Sequence, residues 1–131
     1  MTRFLAGAAL LLMAGSAVQA RPAFLAGSWG GEHAGVAFEG GLAQVRFDCA
    51  SGSIDEPVSP GKDGSFEARG TFRAGQPGPV RVGQIFHSQP ANYSGQVRKD
   101  LMTLNITLED GTAIGPFTLT QGAAPQLTRC L

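Results

Sequence analysis

The residues of this chain whose types suit catalysis are few, and most stand apart in sequence. The stretch "GSWGGEH", Gly27 to His33, sets the only Trp four residues before one of the two His, with Glu32 between them. Glu32 and His33 would have to act on one substrate atom to form a catalytic cluster. In an extended strand adjacent side chains point to opposite faces, so this pair is not expected to cooperate. A zinc-protease helix would need His-Glu-x-x-His, and the chain has no such spacing. His87 could join His33 in space, but two His without a carboxylate cluster make a poor metal site. Both read as ordinary, partly exposed residues at strand ends.

Nucleophilic chemistry finds no better support. Ser51, in "CASGSI", has a glycine beside it but lacks the Gly-x-Ser-x-Gly elbow and the parallel α/β sheet that carries one. The paired carboxylates Asp55-Glu56 and Glu109-Asp110 adjoin turn residues, where acids serve solvation rather than general acid/base work. Tyr93, in "ANYSGQ", is the only tyrosine, and its hydroxyl suits a ligand or a backbone carbonyl equally well. The sequence therefore predicts no catalytic residue, no metal site and no cofactor. A hydrolase with a site assembled from distant strands stays open as an alternative.

The chain opens "MTRFLAGAALLLMAGSAVQA", with a basic Arg3, an apolar run from Phe4 to Ala14 and a small-residue exit at Val18-Gln19-Ala20. That pattern predicts a signal peptide over 1–20, removed in the mature protein, and a single domain over 21–131. The product is expected in the periplasm or secreted, as a monomer with no membrane span after cleavage. Loss of Arg3 leaves nine Lys/Arg against ten Asp/Glu. No polybasic block is present to neutralise phosphates, so nucleic acid is not an expected partner. Two Cys in an exported chain of this size read as one disulfide, Cys49 with Cys130.

These residues must be positioned by strands. Apolar residues recur with period two in short runs separated by Gly, Pro, Asn and Asp, and no sustained helical period occurs. Val45, Phe47 and Cys49 share one face of their run, as do Phe66, Ala68, Gly70 and Phe72, and as do Met102, Leu104, Ile106 and Leu108. One buried and one wet face is the pattern of antiparallel sheet. Turn residues at Gly40-Gly41, Lys62-Asp63-Gly64, Lys99-Asp100 and Asp110-Gly111 separate the runs. The reading is all-β: a meander of about eight strands near 27–39, 42–49, 51–55, 65–74, 79–87, 91–98, 101–109 and 112–120. A terminal segment near 126–130 is the alternative to the weak third. Closure into a small barrel removes the two exposed edges. Glycines within strands, such as Gly70, Gly95 and Gly115, suit the bends of a small barrel.

Gly27-Ser28-Trp29 on the first strand of such a meander resembles the calycin superfamily: lipocalins, avidins and small periplasmic inhibitors of bacterial metalloproteases. The resemblance implies that Trp29 closes one barrel end and that a basic residue near the chain's end, here Arg129, packs across its ring. It rests on the first strand and the end of the chain. The lipocalins' Thr-Asp-Tyr motif and C-terminal helix have no counterpart here. The layout also resembles a type of small exported bacterial protein, a resemblance that is consistent with a non-enzyme and supplies no site.

Two binding readings follow. In one, a small apolar ligand enters the barrel or its mouth, touching Trp29, Tyr93, Phe47, Phe72 and Phe117, with Val45 and Leu104 beside them. In the other, an exported protein docks on the stiff, Pro/Gly-rich loops 56–64 and 74–80. Interior volume decides between them, because an eight-strand barrel has a lumen just wide enough for its own side chains.

Overall fold

A computed structural model of the chain describes residue 7 and residues 24–75, 82–83 and 87–130. The expected signal peptide thus lies, Gly7 apart, outside the described residues, as do positions 76–80 of the second loop. The strands are β1 (Gly27–Gly31), β2 (Ala34–Glu39), β3 (Leu42–Phe47), β4 (Ala50–Ile54), β5 (Ser65–Ala74), β6 (Gln89–Arg98), β7 (Leu101–Leu108) and β8 (Ala113–Gln121). Each pairs antiparallel with the next, and β1 closes on β8 through Trp29↔Gln121 and Gly30↔Thr120. The fold is the closed all-β meander that alternation predicts, compatible with a calycin-like barrel.

Three strand assignments change. The run 27–39 is two strands, because the chain turns at Glu32-His33, where His33 adopts a left-handed backbone with φ 70°. The expected strand 79–87 lies mostly outside the described residues. Of its described positions, 82–83 form a turn and 87 belongs to no strand. Residues 126–130 are not a strand either; their sheet contact is a single parallel bridge from Gln126 to Glu32.

Two-residue turns set the register of the first half. Gly40 and Gly41 both have positive φ, 61° and 82°, as the tight hairpin turn whose twist matches the strands requires. Inward positions then stack from strand to strand: Val36 beside Val45, Val45 beside Gly52, Gly52 beside Phe72. Outward positions are largely polar, as with Gln44 and Arg46 on β3 and Thr103 and Thr107 on β7. This is the reverse of the outward apolar band of a membrane barrel.

The inward side chains of the described strands pack against one another in the lumen. They form one continuous buried cluster that includes Trp29, Val36, Val45, Ile54, Leu104 and Leu119. Phe47 lies 5.6 Å from Phe72 and, across the lumen, 5.4 Å from Phe117, ring centroid to centroid. Val58 from the loop between β4 and β5 is also buried, and its carbonyl accepts the Leu25 N–H at 2.8 Å. The Trp29 ring is buried as well, and its Nε1 has no hydrogen-bond partner among the described residues.

Tyr93 is fully buried and donates its hydroxyl to the Thr71 carbonyl at 2.7 Å. Burial foremost, and then the charge of Asp55, push its ionisation above the ordinary tyrosine value. The folded state therefore resists forming phenolate, so this contribution to stability is complete below the ordinary value of about 10 and lost as pH rises past it. Because the chain has one Tyr, an alkaline absorbance titration reports this residue alone. Phenolate should not appear through the ordinary range and should emerge only as the barrel unfolds; ionisation near pH 10 with the fold intact would refute the buried placement.

After β8 the chain runs back as a strap, residues 122–130, across the outside of β1 and β2. Gln126 donates its N–H to the Gly31 carbonyl at 2.9 Å and accepts the His33 N–H at 2.8 Å. Close approach explains two glycines: a Cβ at Gly30 would lie 2.3 Å from the Ala123 carbonyl oxygen, and one at Gly35 would lie 2.6 Å from Pro125. The strap ends in the predicted disulfide, Cys49 to Cys130, with Cα atoms 4.8 Å apart. The bond thus fixes the strap to the turn between β3 and β4 rather than joining the two closing strands.

Candidate functional site

The Gly40-Gly41 turn pairs Glu39 with Leu42 and, at the far end of the hairpin, Ala34 with Phe47. One step beyond, His33 in one turn faces Asp48 in the next. The His33 Nδ1 and an Asp48 carboxylate oxygen are hydrogen-bonded to each other. The other Asp48 oxygen accepts the Thr128 N–H of the strap at 2.6 Å. With Nδ1 engaged, Nε2 is the ring nitrogen left to a ligand.

Beside this pair lies a cavity of about 360 Å³ lined by Glu32, His33, Pro116, Phe117 and Thr118. Glu32 and His33 therefore share a cavity, beyond the strand whose alternation would set them on opposite faces. Strand alternation ends at Gly31, and the left-handed backbone of His33 redirects the chain. Few non-glycine residues adopt that conformation, and it concentrates at functional sites. Phe117 joins the cavity to the core through its contact with Phe47.

The Thr128 N–H above all holds the Asp48 carboxyl below the usual carboxylate range; desolvation opposes it, and the hydrogen bond and charge of His33 add to the lowering. A depressed carboxylate contributes stability above its ordinary value of about 4, and that contribution is lost as pH falls through the lowered one. Acidification should therefore reduce the hydrogen-exchange protection of the Thr128 amide before the barrel unfolds. Asp48→Asn should reduce it several-fold already at neutral pH. Unchanged protection in both experiments would show that Asp48 does not hold the strap.

The residues singled out by sequence fall into distinct places. Trp29, Phe47, Phe72 and Tyr93 belong to the packed interior, and the Tyr93 hydroxyl is committed to Thr71. Phe117 alone of that group lines the rim cavity. Arg129 is exposed on the strap, and among the described residues it makes no contact with the Trp29 ring, so the calycin-type packing of a basic residue there is not seen. His87 is exposed before β6. Ser51 lines a polar hollow of about 220 Å³ on the outer wall, with Thr71 and Arg73 and no imidazole. Among the described residues no three potential metal-ligating side chains come together.

Two larger hollows occupy the outer wall. One of about 410 Å³ is bordered by Ala37, Leu42, Gln44 and Ser53, and one of about 470 Å³ by Glu67, Arg69, Pro90 and Thr107. Among the described residues that border them there is no imidazole and no aromatic ring. Sequence reasoning missed Asp48, although the Gly40-Gly41 turn carried the signal: once that register is fixed, His33 and Asp48 must face each other. The chain matches no protein-family model, no curated protein and no solved structure.

Proposed function

We propose that this chain is an exported, non-catalytic binding protein of the periplasm or medium that takes a small, largely apolar ligand at the rim of its barrel. The carrying observation is the combination of a packed lumen with a rim cavity of about 360 Å³ built on Phe117. That volume falls in the range of small-molecule sites, which pair an apolar surface with a few fixed polar groups. Pro116 and Phe117 supply the former; Glu32, His33 and Thr118 supply the latter. The disulfide and the leader-like first 20 residues support export. A calycin-like relationship is part of this reading, supported by the closed barrel and by the burial of Trp29 on β1.

A second reading, docking of an exported protein on the loop 56–64, is favoured by the loop's stiffness. Val58 anchors it in the core, Asp63 accepts the Ser65 hydroxyl at 2.7 Å, and Gln96 donates to the Asp63 carbonyl at 2.8 Å. A loop so held loses little entropy on binding. Incubation of the full chain with extracted lipids and metabolites, and separately with exported proteins, followed by amide NMR mapping, separates the two. Perturbations at Glu32, His33, Phe117 and Thr118 by a small molecule support the rim site. Perturbations confined to 56–64 by a protein support the loop, and absence of both overturns the binding reading.

A further inference from the structure

We propose that the rim cavity selects ligands bearing a protonated amine attached to an apolar body. This deepens the rim-binding reading and rests on it. Each polar group on the cavity wall can accept a hydrogen bond. Glu32 is exposed and forms no ion pair among the described residues. His33, with its Nδ1 proton directed to Asp48, offers the Nε2 lone pair. The Thr118 hydroxyl adds an acceptor, and the Asp48 carboxylate behind the imidazole adds a second negative charge nearby. Among the described residues no Lys or Arg lines the cavity.

An anionic ligand would meet the Glu32 carboxylate with no cation among the described lining residues to offset it. A neutral apolar ligand would leave the acceptors facing it without donors. An ammonium supplies three donors and the complementary charge, and ammonium groups also favour the face of an aromatic ring such as Phe117. Pro116 and Phe117 then cover the ligand's carbons. The same chemistry occurs in free alkylamines and in lysine side chains of peptides.

The test titrates phenethylamine, 2-phenylethanol, phenylacetate and an acetyl-lysine-amide peptide into the full chain at pH 8, read by amide NMR at Glu32, His33, Phe117 and Thr118. Phenethylamine is expected to bind at least fivefold more tightly than the alcohol, with phenylacetate weakest. Glu32→Gln should abolish the preference of amine over alcohol while leaving alcohol binding in place. His33→Asn, which tolerates the left-handed backbone and can still donate to Asp48, should weaken amine binding while the strap stays protected. Tighter binding of the lysine peptide than of phenethylamine would identify a polypeptide source, and the reverse a free amine. Equal binding of amine and alcohol, or a preference surviving in Glu32→Gln, overturns the amine assignment and leaves the rim site standing. Absence of any shift at the four residues overturns both.

Discussion

Reduction of the Cys49–Cys130 bond is expected to lower the stability of the barrel by about 2–5 kcal/mol. The two cysteines are 81 residues apart, so the bond closes most of the domain into one loop and removes much of the unfolded chain's freedom. Its folded-state role adds to this. β1 meets β8 through two residue pairs, a short seam for a closed barrel, and the strap crosses β1 and β2 before reaching the disulfide. Urea unfolding with and without reductant should show a midpoint lower by roughly 1–3 M when the bond is open. The double variant Cys49→Ala/Cys130→Ala should match the reduced protein and ignore reductant. Strap amides at Gln126 and Thr128 should lose exchange protection first. An unchanged midpoint would mean that neither the unfolded-state constraint nor the seam matters.

The same bond reaches the candidate site. Thr128, two residues before Cys130, donates to Asp48, which in turn holds His33. Opening the disulfide should therefore loosen the imidazole as well as the strap. Rim-site binding should weaken on reduction under conditions where the barrel is still folded, which the same NMR titration would record.

Legibility in the sequence follows the reach of the forces involved. Alternation at Met102, Leu104, Ile106 and Leu108 is a local burial pattern, and β7 appears where it points. Gly40-Gly41 and Lys99-Asp100 mark their turns because positive φ is a local demand, met at Lys99 with φ 54°. Glu32-His33 gave no such signal, since neither residue is a customary turn former. That turn is held instead by Gln126, more than 90 positions away in sequence. Asp48-Cys49 was hidden in the same way: its run reads as strand to position 49, yet Cys49 turns with φ 52° and is fixed by Cys130. The site consists of these two turns: the Gly40-Gly41 register sets His33 opposite Asp48, but neither turn is marked by its own residues.

Gly52→Ala should be among the most damaging small substitutions in the chain, costing about 2–4 kcal/mol. Gly52 faces the lumen between Val45 and Phe72, where its missing side chain makes room for Tyr93. An added Cβ would stand 2.0 Å from the Tyr93 hydroxyl oxygen and 2.4 Å from the Thr71 carbonyl oxygen, the two atoms that bond to each other. Overpacking alone costs about 1–3 kcal/mol, and displacing the hydroxyl strands a buried carbonyl for about 1 kcal/mol more. Gly111→Ala is the fitting control: its φ of 87° strains any side chain, but nothing lies within 4 Å of the new Cβ, so only the backbone cost of about 1–2 kcal/mol applies. Tyr93→Phe in the Gly52→Ala background should recover part of the loss by removing the nearer atom. Recovery stays incomplete because the Thr71 oxygen remains. Such coupling is measured by a double-mutant cycle in urea. A Gly52→Ala cost no larger than that of Gly111→Ala, or zero coupling with Tyr93, would mean that the tyrosine does not fill the space the glycine leaves, and the packed lumen on which the rim-site reading depends would lose its support.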